Sequence, residues 1–163
     1  MTLPDPEVVR EVLRRMRARQ GPFKPGEPLP IIDQVVATVL SQNTSDVNSG
    51  RAFARLKARF PSWEQVADAP VDEVADAIRP GGLADVKARR IQRILAVIED
   101  REGRIDLDRL NELDDEAAEA YLTSLPGVGP KTAACVLVFS MGRPAFPVDT
   151  HVHRIVTRLG WVP

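Results

Sequence analysis

The chain has 163 residues, with 22 Lys and Arg against 23 Asp and Glu, so its formal net charge is −1. With 44% apolar and 28% charged residue types, the composition is typical of one globular domain with a small second lobe. The single cysteine, Cys135, excludes a disulfide framework and any multi-cysteine metal site within the chain. No apolar run approaches the roughly 20 residues that cross a membrane, and the N-terminus lacks the apolar segment of a signal peptide. We therefore expect a cytoplasmic protein with no membrane partner. Taken alone, the near-zero charge argues against nucleic acid.

Fourteen prolines and ten glycines divide the chain into segments with helical periodicity. In chain order, we predict helices at about 5–19, 31–40, 46–59, 63–68, 71–78, 84–101, 115–124, 130–141 and 150–159, with a short piece at 106–111. The proline-rich stretch 21–30 predicts a linker, and the apolar residues of 31–40 have the spacing of a central buried helix. No run of strands is visible in the sequence. The fold class is therefore predicted to be all-α.

The segment Leu125–Thr132, LPGVGPKT, lies between two predicted helices and has two interpretations. As a plain turn, it uses its glycines for positive φ angles and Pro130 to open the next helix. As a helix–hairpin–helix, it uses Gly127 and Gly129 to let a DNA phosphate reach backbone N–H groups at a helix N-terminus. The second mode needs no basic side chain, so it suits a neutral protein.

The functional interpretation is favoured by two residues, Lys131 and Asp149. Lys131 lies in the first turn of its helix, where the helix dipole disfavours an ammonium ion. Asp149 follows eighteen residues later, far enough for one helix and a return loop, and its place before an amphipathic helix predicts an N-cap. A neutral lysine is a nucleophile, and a carboxylate stabilises positive charge on a sugar that is losing its base. A solvated lysine and a simple capping aspartate are the alternatives.

The segment LPGVGPKTA followed by PVDTHVHR resembles the helix–hairpin–helix/Gly-Pro-Asp DNA glycosylases, specifically the endonuclease III branch. LSQNTSD at Leu40–Asp46 and GLADVKA at Gly82–Ala88 are similar to two further segments of that family. The resemblance implies a multi-helix DNA glycosylase fold. Its six-helix-type domain would span 25–141, with the helix–hairpin–helix at about 115–141. Residues 1–24 would be the N-terminal helix and linker of a second lobe, and 142–163 the catalytic aspartate loop and the start of that lobe.

The resemblance also implies roles for single residues. Lys131 matches the lysine that attacks C1′ of the damaged nucleotide, and Asp149 matches the aspartate that assists it, so the implied activity is that of a bifunctional glycosylase and AP lyase. The implied DNA-binding residues are Gln42, Leu83, Gly127, Gly129 and His151. Among these, Gln42 and Leu83 match wedges that fill the gap left by an extruded base, with a polar helix end and a leucine folded onto the core as the alternatives. Thr44 and Ser45 would line the base pocket, where Ser45 replaces an acid common in the family.

The implied partner is damaged double-stranded DNA, bound by a monomer, with oxidised bases as the expected substrates. We expect no metal and no cofactor in this chain, because the family's [4Fe–4S] cluster would need cysteines beyond Pro163, and its iron–sulfur lobe is absent from the sequence. Two alternatives stay open: a glycosylase for alkylated or mispaired bases on the same fold, and a non-catalytic DNA-binding module. The net charge conceals basic runs at 51–59 and 87–93 and an acidic segment at 105–124.

Overall fold

A computed structural model describes residues 4–21 and 26–162, and the regular structure of these residues is helical, which confirms the all-α prediction. The α-helices are α1 (Pro6–Gln20), α2 (Ile31–Ser41), α3 (Asp46–Arg59), α4 (Trp63–Asp68), α5 (Val71–Ile78), α6 (Ala84–Glu102), α7 (Asp115–Thr123), α8 (Pro130–Phe139) and α9 (Thr150–Arg158). Short 3₁₀ turns lie at Arg79–Gly81 and Asp108–Glu112. Within the described ranges, no helix has the length and apolar character that a membrane crossing requires.

The predicted helix ends agree with the structure to within two residues, and the largest difference is at the end of α8. This helix was predicted to reach residue 141, but it ends at Phe139. Gly142 adopts a φ of 63°, and the Arg143 N–H group bonds back to the Leu137 carbonyl at 2.9 Å. The glycine therefore turns the chain and closes the last turn of the helix.

The chain divides into two compact units. The central unit is Pro28–Pro147 and contains α2 to α8, whereas the terminal unit combines Met1–Glu27 with Val148–Pro163 and contains α1 and α9. Residues 22–25 of the predicted linker, and with them the predicted boundary at 24/25, lie outside the described residues. The predicted boundary at 141/142 stays a prediction.

The core of the central unit is built around α2. All six apolar residues that predicted its buried face are at most 7% exposed: Ile31, Ile32, Val35, Val36, Val39 and Leu40. This helix packs against α3, α6 and α8, while α5 packs against α3 and α6. Burying aliphatic side chains of this size contributes about 1.5–3 kcal/mol each, so the prediction of a central buried helix is confirmed and α2 is a main source of stability.

The basic run 51–59 lies on α3, where most of its charges serve the fold. Arg59 forms ion pairs with Glu73 at 2.7 Å and with Asp76 at 3.7 Å, and Arg55 donates to the Asp76 carbonyl at 3.3 Å. These contacts fasten α3 to α5 across the surface of the central unit. Because they are exposed, they contribute little stability individually, but they partly neutralise a segment that the sequence presents as strongly basic.

Substitutions in α3 test the packing of this core. Leu56 is fully buried, so Leu56→Ala should lower the free energy of unfolding by about 2–5 kcal/mol through lost transfer energy and a residual cavity. Val47 lies on the same helix and is 66% exposed, so Val47→Ala should change that free energy by less than about 0.5 kcal/mol. Urea denaturation followed by circular dichroism measures both. Equal losses for the two variants would contradict the packing described here.

Candidate functional site

The hairpin between α7 and α8 is held in the core by two apolar side chains. Leu125 and Val128 are buried, while Gly127 and Gly129 between and after them are exposed. The Val128 N–H group donates to the Leu125 carbonyl at 3.1 Å, which closes the turn. The predicted helix–hairpin–helix is therefore present, with its glycine backbone at the surface.

The two glycines of the hairpin differ in backbone conformation and in surroundings. Gly127 has a φ of 75°, and a Cβ atom placed there would lie 2.6 Å from the Arg90 side chain. Gly129 has a φ of −94°, and a Cβ atom placed there would meet nothing within 4 Å. A side chain at 127 would be strained by the positive φ and would displace the Arg90 side chain, whereas at 129 an alanine fits the backbone and the surface is open.

Lys131 is the second residue of α8, directly after Pro130, and its side chain is exposed. The next two residues, Thr132 and Ala133, are buried and fix the helix against the core. The first turn of α8 contains no acidic residue. Lys131 is thus presented at the hairpin end of α8, within the central unit.

Asp149 belongs to the terminal unit, where it is the N-cap of α9. The Val152 N–H group donates to its carboxylate at 2.7 Å, so the predicted capping role is confirmed. His151, in the first turn of α9, is exposed, and its Nδ1 atom lies 3.1 Å from the Arg154 guanidinium. The predicted catalytic pair is therefore divided between the two units, with Lys131 in the central one.

Gln42 follows the last residue of α2, and its side chain bridges α6 and the hairpin. Arg90 donates to its Oε1 atom at 2.7 Å. Its Nε2 atom lies 3.4 Å from both the Gly127 carbonyl and the Thr132 hydroxyl. Since a guanidinium only donates, the amide oxygen must face Arg90 and the amide nitrogen must face the hairpin. The structure thus brings Gln42 to the hairpin and to the start of α8.

Leu83 directly precedes α6 in a left-handed conformation, with a φ of 49°. A non-glycine residue pays about 1–2 kcal/mol for this conformation. Its side chain is 58% exposed, so the alternative of a leucine folded onto the core is wrong. An exposed apolar side chain on a strained backbone is a feature typical of functional sites.

Thr44 and Ser45 lie in the loop between α2 and α3. The Ser45 hydroxyl is the N-cap of α3 and accepts from the Asn48 N–H group at 3.4 Å. Thr44 is half-buried, and Asn43 before it has a φ of 55°. Ser45 therefore has a local structural role, and the base-pocket roles of both residues stay predictions.

The sequence placed Lys87 in the family segment Gly82–Ala88 and in a basic run with Arg90, but it predicted none of the contacts that these two residues make. Lys87 is 2% exposed, and its ammonium group donates to the Leu40 carbonyl at 2.6 Å and to the Gly81 carbonyl at 2.9 Å. Burial, together with the positive charge of Arg90, lowers the pKa of Lys87 below the ordinary value of a lysine. The available signal was its spacing, because Lys87 lies one helical turn before the buried Ile91.

The three arginines of this run line a cavity beside the hairpin. It has a volume of about 370 Å³. Its walls are formed by Asp85, Val86, Arg89, Arg90, Arg93, Pro126 and Gly127. Positive charge from α6 is therefore concentrated next to the glycine backbone of the hairpin.

A four-thiolate iron–sulfur cluster does not fit the residues of this chain. Cys135 is the single cysteine, and it is buried in α8 among apolar neighbours. Over residues 4–21 and 26–162, no three His, Cys, Asp or Glu side chains lie together in a way that could hold a metal ion.

Known proteins are similar to this chain in sequence. Residues 36–163 match the model of the HhH-GPD superfamily base excision DNA repair proteins. The chain is 47% identical over 133 residues to an Arabidopsis thaliana protein whose name describes it as a DNA glycosylase; the match covers 82% of this chain and 45% of that protein. It is 36% identical over 156 residues to endonuclease III of Thermotoga maritima, a match that covers 96% of this chain and 66% of the relative. The chain thus spans between about half and two thirds of these relatives.

A solved structure has the same fold. It is an endonuclease III trapped as a covalent intermediate with DNA, and it matches this chain with a TM-score of 0.81 at 29% identity, covering 99% of this chain and 72% of the other. The family match includes α8 and α9, which carry Lys131 and Asp149, and most of the helix before Gln42. This chain therefore belongs to the HhH-GPD superfamily of base excision repair DNA glycosylases and is endonuclease III-like.

Proposed function

We propose that this chain is a DNA glycosylase with AP lyase activity, which removes damaged bases, above all oxidised ones, from double-stranded DNA. The observation that carries the proposal is the position of Lys131, exposed in the first turn of α8 directly after a hairpin with open glycine backbone. The covalent endonuclease III–DNA intermediate, whose fold this chain shares, supports a covalent mechanism. In this proposal the chain acts as a monomer without a resident cofactor.

The hairpin would bind the DNA backbone through its main chain. The amides at the start of α8 have no partners within the helix, and the helix dipole adds partial positive charge there. The open space beside Gly129 lets a phosphate approach these amides closely. The arginines of the neighbouring cavity add positive charge without the need for a basic chain overall.

The glycosylase step assigns separate tasks to Lys131 and Asp149. The neutral amine of Lys131 attacks C1′ of the damaged nucleotide, and the C1′–N bond breaks. The electron pair of the C1′–N bond leaves with the base, and the base takes up a proton. The Asp149 carboxylate stabilises the positive charge that develops on the sugar. The hydrogen bond from the Val152 N–H group holds this carboxylate at the start of α9.

The lyase step follows from the bond between Lys131 and C1′. The C1′–O4′ bond then breaks, O4′ takes up a proton, and a protonated Schiff base remains between Nζ and C1′. A proton is lost from C2′ to solvent, its electron pair forms a C2′=C3′ double bond, and the C3′–O bond breaks. The 3′ phosphate leaves with its electron pair, which is a β-elimination. Borohydride reduces the C=N bond of the Schiff base and would preserve the link between protein and DNA.

Gln42 and Leu83 would fill the duplex where the damaged nucleotide has left it. Extruding a base costs a few kcal/mol of stacking, and an inserted side chain recovers part of that cost. Leu83 suits this task because it is apolar and exposed. Gln42 suits it because Arg90 and the hairpin already fix the direction of its amide.

A trapping experiment tests the nucleophile. Wild type, incubated with an abasic duplex and borohydride, should form a covalent adduct, and Lys131→Ala should lower its yield by several orders of magnitude because the attacking amine is gone. Lys57→Ala, which removes a lysine from α3, is the control and should trap like wild type. An adduct of equal yield with Lys131→Ala would contradict the assignment. No adduct with wild type, despite duplex binding in a gel shift, would favour the non-catalytic module.

A glycine substitution tests the hairpin. Gly129→Ala should fold normally, since its φ of −94° suits alanine and the added Cβ meets no atom within 4 Å. It should weaken binding to an abasic-analogue duplex about tenfold, or about 1.4 kcal/mol, because the methyl group keeps the phosphate from the amides. Gly50→Ala, which also adds a Cβ in open space, should leave the Kd unchanged. Fluorescence anisotropy measures both, and an unchanged Kd for Gly129→Ala would exclude phosphate contact at this position.

A further inference from the structure

The buried ammonium group of Lys87 donates hydrogen bonds to two backbone carbonyls. Its side chain is 2% exposed, and its ammonium group lies 2.6 Å from the Leu40 oxygen and 2.9 Å from the Gly81 oxygen. Removing an ammonium ion from water is costly unless hydrogen bonds replace its hydration. The next residue on the same stripe of α6, Ile91, contributes only packing. A lysine at this position therefore calls for an explanation beyond filling the core.

The two acceptors occupy equivalent places in the chain. Leu40 lies two residues before Gln42, and Gly81 lies two residues before Leu83. Each carbonyl lies in the last turn of a helical segment, α2 in one case and the Arg79–Gly81 turn in the other. Carbonyls at helix ends lack partners within the helix and favour a cation. One ammonium group thus joins the bases of the two loops that carry the proposed wedge residues.

The Leu83 loop needs such an anchor because its backbone is strained. Leu83 has a φ of 49°, and strained conformations persist only where the surroundings hold them. Gly81 is held from the other side by α3, since a Cβ placed on it would lie 3.1 Å from Ala52 Cβ. Gly81 is thus confined between Ala52 and the Lys87 ammonium group.

The Gln42 loop is held by the same helix at a second point. Arg90, three residues after Lys87, donates to the Gln42 amide oxygen at 2.7 Å. Lys87 therefore holds the backbone of this loop through the Leu40 carbonyl, and Arg90 orients the Gln42 side chain. Both loops take their positions from one face of α6.

We propose that Lys87 is a positioning residue for base extrusion, which sets the spacing of Gln42 and Leu83 so that both enter the opened base stack together. It touches no DNA itself and acts through the Leu40 and Gly81 carbonyls. The proposal rests on the proposed function and adds the element that couples its two wedges.

The test compares two substrates that differ in their need for wedges. A duplex abasic site has to be extruded from the stack, whereas an abasic site in a single-stranded oligonucleotide does not. Lys87→Met keeps the length of the side chain and removes the ammonium group. It should slow single-turnover borohydride trapping at least tenfold on the duplex and less than twofold on the single strand. Lys57→Met is the matched control and should change neither rate by more than twofold. Equal losses on both substrates would show a general structural role and overturn the proposal.

A second measurement follows unstacking without chemistry. 2-Aminopurine placed opposite a stable abasic analogue brightens when its stacking is disrupted. Wild type should raise the fluorescence, and Lys87→Met should give less than half of that rise at saturating protein. A full rise would overturn the positioning role. If wild type forms no covalent adduct, that result counts against the lyase activity alone. The fluorescence measurement still tests the positioning role of Lys87 in that case.

A third comparison asks whether Lys87 acts through Leu83. In a Leu83→Ala background, Lys87→Met should slow trapping on the duplex by less than a further threefold, because the element that it positions is already gone. A further tenfold loss would show independent effects and overturn the coupling. Lys87→Gln, which keeps one neutral N–H donor, should fall between wild type and Lys87→Met. If Lys87→Met does not fold, Lys87→Gln replaces it in the same comparisons of trapping on the two substrates. A Lys87→Gln loss shared equally by both substrates would again overturn the proposal.

Discussion

The buried ammonium group of Lys87 joins the end of α2 to the turn before α6, and the surface of the central unit around Gln42 and Leu83 depends on this contact. Moving either loop away would leave a buried charge or a buried carbonyl without a partner, at a cost of several kcal/mol. α6 also supplies Arg90, which binds Gln42 and lies against the positive-φ Gly127. One helix therefore orders two loops and one side of the hairpin.

The distribution of charge bears on the proposal that a neutral chain binds a polyanionic partner. On α3, Arg59 forms ion pairs with two acids of α5 and Arg55 donates to a carbonyl of α5, so part of the basic sequence is occupied by the fold. The arginines of α6 instead line the cavity beside the hairpin. The main-chain amides of the hairpin add positive potential that no count of side chains records. In the proposed function, backbone groups and a few arginines bind the DNA, so the net charge of the chain is a poor guide to its partner.

Local features of the structure were largely predictable. The helices, the buried stripe of α2 and the Asp149 cap follow from neighbours within one or two turns, and the structure confirms them. The prediction for the end of α8 was wrong by two residues because Gly142 stops the helix sooner than the apolar pattern does. Leu40, which accepts from Lys87, and Gln42, which accepts from Arg90, lie 47 and 48 residues away along the chain, at the end of α2. Periodicity holds no information on contacts of that range.

The sequence by itself determined the all-α class, the hairpin, and the family to which Lys131 and Asp149 belong, because these depend on short-range spacing and on motifs that read directly from the residues. It could not distinguish Gly127, where a side chain would be strained and would meet Arg90, from Gly129, which faces open space. Nor could it separate an arginine that orients Gln42 from a basic residue on a solvated face. Only the tertiary structure decided these points, since each depends on which side chain of α6 meets which distant loop, and that follows from the packing of whole helices around α2.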